Sequence, residues 1–189
     1  GLTEEGLPDI VRRWRSSNKR IVDLWYSIEN AALSVMKTGQ PVGVRGLILA
    51  RESDIQNGLD FLTITLPSGR KLFYVKPFLS ENDFGKEALH YYGLDQTTKK
   101  WTKLSTYGGK LVENIVQAIA RDCLAETLKR LSAAGYQVVM HIHDEVVLDV
   151  PKEYADLDKV VEIMRQPISW APGLPLNADG FVSEYYKKD

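Results

Sequence analysis

Asp144 and Glu145 are neighbouring carboxylates set between two β-forming runs, residues 136–142 and 146–150. Asp is depleted in strands, and two adjacent anions repel unless a cation or solvent relieves them. A hard divalent ion would do so, since Mg²⁺ prefers carboxylate oxygen and keeps positions open for substrate phosphates. In two-metal phosphoryl transfer the ions lie roughly 3.5–4 Å apart and stabilise the attacking and leaving oxygens together. Such a site needs a second aspartate from another strand. An ordinary Asp-bearing turn has the same local sequence, so these residues alone leave both readings open. His141 and His143, two apart on an expected strand, can share a face and bind zinc with a nearby carboxylate. Structural zinc takes four ligands and catalytic zinc three plus water, while His90 is the one further histidine of 3 in the chain. Zinc is therefore the less well supplied option.

The elements that must hold these side chains follow from periodicity. Gly135 and Pro151 bracket the two β-forming runs, which predicts a tight hairpin with the carboxylates at or beside its tip. Ahead of it, Ile115, Ile119, Leu124, Leu128 and Leu131 predict a helix over 110–131. On that helix Lys110, Asn114, Gln117 and Arg121 fall at i, i+4, i+7 and i+11, in one narrow stripe. Amides bracketed by cations suit base edges and backbone, and a solvated stripe looks similar. Beyond the hairpin, a short helix is expected over 156–166 with Leu157, Val160, Val161 and Met164 inward. Pro167, Pro172 and Pro175 then lead to a last strand near 176–178.

The first half of the chain has two textures. Val11, Trp14, Ile21, Trp25, Ile28, Ala32 and Val35 recur at helical steps, predicting one amphipathic helix over 8–36 with Asp9 at its start and Gly39 and Pro41 as stop signals. Arg12, Arg13, Arg15, Lys19 and Arg20 make its early turns basic, as a solvated face or as phosphate contacts. Residues 42–108 are β-rich, with hairpins expected around Pro67-Ser68-Gly69 and around residues 95–98. Aromatic and basic residues interleave there, which fits either a nucleic-acid surface or a sheet with one buried face.

Bulk properties narrow the class. The chain has 189 residues, 44% apolar and 26% charged, which is enough for a buried core and rules out a disordered tail. Lys plus Arg number 24 against 25 Asp plus Glu, so any basic surface must be local. One cysteine, Cys123, excludes an intramolecular disulfide framework and a cysteine-rich zinc module. No stretch approaches the roughly 18 apolar residues of a membrane span, which predicts no membrane partner and a cytoplasmic protein. The chain opens on Gly1 rather than Met, as a piece of a longer protein would. Helix, hairpins, helix, hairpin, helix and strand in that order predict an α+β fold, helices packed on a small antiparallel sheet.

The string His143-Asp144-Glu145 between apolar strands resembles the motif C hairpin of family A DNA polymerases, the group of bacterial polymerase I and its phage relatives. Tyr107-Gly108-Gly109-Lys110-Leu111-Val112-Glu113-Asn114-Ile115-Val116-Gln117-Ala118-Ile119-Ala120-Arg121-Asp122 resembles the phage or prophage version of the helix leading into it. The resemblance is strongest over 104–151 and extends across the chain. It implies that Asp144 is a metal ligand, Glu145 its supporting carboxylate, and His143 a neighbour of the primer end. Gln117 would face the minor groove, where acceptors common to every base pair report geometry and not sequence. The family usually has Asn four residues before this Gln, a position occupied here by Glu113. Asn114 is taken as the groove contact instead, and Lys110 and Arg121 carry over on charge and stripe position alone.

The family's motif A aspartate and its nucleotide-gripping motif B have no match in this chain. The resemblance thus implies a C-terminal polymerase fragment spanning 1–189: a long helix over 1–41, a hairpin-rich segment over 42–108, and a palm segment over 109–189. Its parent would perform metal-dependent nucleotidyl transfer in DNA replication or repair, with primer-template DNA, deoxynucleoside triphosphates and the missing N-terminal part as partners. Two Mg²⁺ ions would be completed by the absent motif A aspartate, and the chain alone is expected to be inactive. Two other classes remain on the residues themselves. One is a non-catalytic DNA-binding module using the basic helix, the 110–121 stripe and the aromatic hairpins. The other is a small metallohydrolase using His141, His143 and a carboxylate.

Overall fold

A computed structural model of the protein describes residues 6–54 and 56–187. The chain divides into two compact units, Gly1–Val116 and Gln117–Asp189.

The first unit opens with two helices where periodicity predicts one: α1 (Leu7–Ser17) and α2 (Lys19–Thr38). The break falls at Asn18, whose φ of −116° and ψ of 42° leave the helical region. Its backbone N–H and its side-chain amide both donate to the Trp14 carbonyl, at 2.9 and 2.8 Å. A short amide side chain competes for backbone acceptors in this way, which is why Asn interrupts helices whose apolar spacing is intact. Trp14 and Trp25 stack across the break with ring centroids 5.7 Å apart. Asp9 sits in the first turn of α1 and pairs with Arg12 and Arg13. Gly39 ends α2 at φ 71°, with its N–H on the Val35 carbonyl.

Six strands follow as an antiparallel meander in chain order: β1 (Val42–Val44), β2 (Leu47–Asp54), β3 (Leu59–Thr65), β4 (Lys71–Glu81), β5 (Glu87–Leu94) and β6 (Trp101–Thr106). The hairpin expected around Pro67-Ser68-Gly69 joins β3 to β4, and the one around 95–98 joins β5 to β6. Leu49 pairs with Val42 and Ile64, and Leu62 with Tyr74, so one face carries most of the buried apolar residues of the sheet. The matching helical residues are Ile28, Ala31, Ala32 and Val35, all buried on α2. β4 carries Pro77, which cannot donate to a ladder; the register shifts between Val75 and Phe78, with Lys76 at φ 46°.

The start of α3 (Gly108–Ala133) locks onto this unit. A Cβ on Gly108 would lie 2.1 Å from the Trp25 carbonyl oxygen, so only glycine permits the approach. Leu111, Val112 and Ile115 are buried on the same turns.

In the second unit α3 ends at Gly135, φ 88°, with the Tyr136 N–H returning to the Leu131 carbonyl. The chain then forms β7 (Gln137–Ile142) and β8 (Glu145–Asp149), an isolated antiparallel pair. After a 3₁₀ turn, Lys152–Tyr154, comes α4 (Leu157–Arg165), capped by the Asp156 carboxylate accepting the Lys159 N–H at 3.1 Å. Ile163 is its buried residue, and the expected inward residues Leu157, Val160, Val161 and Met164 are half-buried around it. Arg130 donates to the carbonyls of Gln166 and Pro167 at 2.7 and 2.8 Å, tying α3 to the end of α4.

The strand expected near 176–178 does not form. Pro175 has no N–H to offer a ladder, and the Ala178 carbonyl accepts from the Arg165 guanidinium at 3.2 Å. The α+β class is as expected, with four α-helices and a six-stranded antiparallel sheet among the described residues. Among the described residues no helix is long and apolar enough to cross a membrane.

Candidate active-site hairpin

The hairpin register ends on the pair Ile142 and Glu145, which leaves His143 and Asp144 as a two-residue loop. Two-residue hairpin loops require left-handed backbone, and His143 supplies it at φ 51°. Asp144 is therefore carried at the tip, exposed, and among the described residues it has no hydrogen-bond or ion-pair partner. Glu145 is the first residue of β8 and is half-buried. A carboxylate held at a tight turn, open to solvent and without a partner among the described residues, is suited to a cation supplied from outside.

The strands behind the tip are apolar and yet uncovered. Val138, Val139, Met140, Ile142, Val146, Val147 and Leu148 include no buried residue, and Val139, at the irregularity in β7, is 50% exposed.

His141 faces Arg121, whose guanidinium nitrogens lie 3.2 and 3.3 Å from its two ring nitrogens. The imidazole is thus engaged by a cation. His90 lies buried in the first unit, its Nδ1 3.2 Å from the Ala88 carbonyl and its ring stacked on Phe78. Among the described residues no three His, Cys, Asp or Glu side chains come together as a metal site. The zinc reading therefore lacks a ligand set among the described residues, and any Mg²⁺ at Asp144 needs donors from beyond them.

The stripe residues divide between the units. Lys110 pairs with Glu113 at 3.1 Å, one turn along. Asn114 is half-buried and donates to the Tyr74 hydroxyl at 3.1 Å. Burial pushes the Tyr74 phenol up to about 12, against which the Asn114 hydrogen bond acts as a smaller opposing influence. Gln117 and Arg121 are exposed in the second unit. The Asn114–Tyr74 bond was not foreseeable from spacing, because its partners lie 40 residues apart.

This contact makes a stability prediction. Asn114→Ala leaves a buried hydroxyl without its partner and lowers unfolding free energy by about 1–3 kcal/mol in urea titration. An unchanged midpoint with weakened DNA binding would instead make Asn114 a groove contact and not a structural tie.

The hairpin's far end lines a groove of about 530 Å³ with Tyr136, Gln137, Asp149, Tyr154 and Lys159. Gln137 pairs with Asp149 at the opposite end of the ladder from Asp144, so this groove is separate from the tip.

No protein-family model matches the chain, and no solved structure is significantly similar to it. It is 57% identical over 191 aligned residues to the DNA polymerase of Bacillus phage SP02. The alignment covers all of this chain and 28% of that polymerase. Identity at this level over the whole length reflects common descent, so the chain is homologous to a segment of a phage DNA polymerase.

Proposed function

We propose that this chain is part of a template-directed DNA polymerase of family A that extends a primer 3′ end with deoxynucleotides in replication or repair. The observation that carries the reading is the 57% identity, along the entire chain, to a stretch of a DNA polymerase. Asp144, exposed and without a partner among the described residues, supports it from the structure. In this reading residues 109–189 belong to the palm and the three sequence segments are parts of one C-terminal piece.

The donor chemistry fits Mg²⁺: Asp144 presents hard carboxylate oxygens at an open tip, and Glu145 stands beside it. When bound, the ions would stabilise charge on the transferring phosphoryl group. In the reaction the primer hydroxyl attacks the α-phosphate, a new phosphodiester bond forms, and pyrophosphate leaves. Asp144 would hold the metal with ligands from the rest of the polymerase, and Glu145 would support it. The left-handed turn at His143 fixes where the carboxylate stands. Gln117, exposed on α3, would contact the minor groove, with Lys110 and Arg121 near the backbone.

Primer extension by a full-length polymerase carrying this segment tests the reading. Incorporation that follows the template sequence and requires Mg²⁺ is expected. Failure to extend any primer-template in Mg²⁺ or Mn²⁺ would overturn it.

A further inference from the structure

The six-stranded sheet has a second face, and its chemistry is not used by the hairpin. Directly paired residues share a face, and the register sets Phe61 of β3, Val75 of β4, Tyr92 of β5 and Lys103 of β6 in one row. On one side of the row stand Phe73 and the pair Leu94–Trp101; on the other stand Phe78 and His90. An antiparallel sheet with one buried face ordinarily turns polar residues to water on the other. Here Trp101 is 63% exposed, Phe73 55% and Tyr92 38%.

The rings are held in place by one another. Phe61 and Phe73 meet edge to face at 5.5 Å, and Phe78 stacks on His90 at 5.4 Å and lies against Tyr92 at 6.1 Å. Lys103 Nζ sits 5.1 Å from the centre of the Phe78 ring. Charge on this face is asymmetric. Over β5 and β6 it carries Ala88, His90, Tyr92, Leu94, Trp101, Lys103 and Ser105, with no acid. Lys99 and Lys100 stand in the adjoining turn, and Lys76 at the β4 bulge. Glu52, which the register sets opposite Phe61 on this face, accepts from Lys71 and Thr63, and Asp95 in the turn accepts from the Thr97 and Thr98 backbone. Lys71 and Thr63 hold the Glu52 carboxyl below its usual range. Asp54, on the β2 edge, is bonded to Asn57.

Preformed rings on a sheet with cations between them bind unpaired bases by stacking and the backbone by charge. A duplex hides the base faces that such rings need. The row crosses three inter-strand gaps, about 14 Å, and sheet faces of this kind stack two or three bases. We propose that the outer face of this sheet is a binding site for single-stranded DNA. The site lies in the first unit and stands or falls independently of any metal role for Asp144.

Fluorescence anisotropy of a labelled oligo(dT) with the 189-residue chain tests it. Trp101→Ala, Tyr92→Ala and Phe73→Ala should each weaken binding by roughly 5- to 100-fold, with circular dichroism melts confirming the fold. Trp101→Phe should retain most of the affinity. Lys103→Gln should flatten the dependence of log K on log salt by about 0.7. Several results would overturn the assignment. Unmoved affinity in all three alanine variants would do so, as would a blunt duplex bound as tightly as the single strand. Oligo(U) bound tenfold better would assign the face to RNA. A dimer that Trp101→Ala dissociates would assign it to a second copy of this chain.

Discussion

Asp144→Asn in a full-length polymerase carrying this segment should lower the single-turnover rate of nucleotide incorporation roughly 10³-fold, with primer-template affinity little changed. The magnitude follows from what a metal-holding carboxylate would supply. Charge stabilisation by such an ion is worth several kcal/mol in the transition state, and each 1.36 kcal/mol is about tenfold in rate. Asn keeps the size and one oxygen of Asp, so the hairpin turn should be preserved while the charge is lost. The side chain is exposed and has no partner among the described residues, so its removal breaks no internal contact. A loss of rate without a shift in melting temperature is therefore the expected signature. Equal rates in the two proteins would remove Asp144 from the site.

The 189-residue chain by itself should show no primer extension above background and only weak Mg²⁺ binding. One exposed carboxylate with a half-buried neighbour does not assemble the octahedral oxygen shell that Mg²⁺ demands. Among the described residues no further acid converges on Asp144. Titration calorimetry should give no measurable Mg²⁺ heat in the micromolar range. Robust synthesis by the chain, or tight Mg²⁺ binding, would mean that the site is complete within it.

The hairpin that carries Asp144 was legible because its signal is local. Two β-branched runs, a glycine before and a proline after leave little choice of where the turn falls, and the register confirms Ile142 opposite Glu145. The β3–β4 and β5–β6 hairpins were readable for the same reason. The break at Asn18 was not, because apolar spacing continues through it. What ends α1 is a side-chain amide taking the Trp14 carbonyl, a contact that periodicity does not register. The β4 strand runs past Pro77 to Glu81 only because the bulge absorbs the missing donor, so the β4–β5 pairing was invisible in the sequence. The strand expected at 176–178 follows Pro175, which has no N–H for a ladder, and the Ala178 carbonyl is taken by the Arg165 guanidinium instead. Likewise, the texture of residues 42–108 showed aromatics among lysines, but which of them share a face depends on a register that only the folded sheet defines.

The chemistry was legible to a different depth. Residue types pointed to a hard cation at Asp144, and the turn geometry explains how that carboxylate is presented. The Asn114–Tyr74 bond shows the limit of stripe arguments, since helical spacing places an amide without saying what it meets. A groove role for Asn114 would have to compete with that bond.

Electron paramagnetic resonance of Mn²⁺ bound to a stalled complex tests the central claim most directly. The complex would contain a full-length polymerase carrying this segment, a dideoxy-terminated primer-template and the next nucleotide. Two bound ions are expected with Asp144 intact, and a loss or marked weakening of metal binding with Asp144→Asn. The same stoichiometry and affinity in both proteins would contradict the assignment of this carboxylate to the metal site.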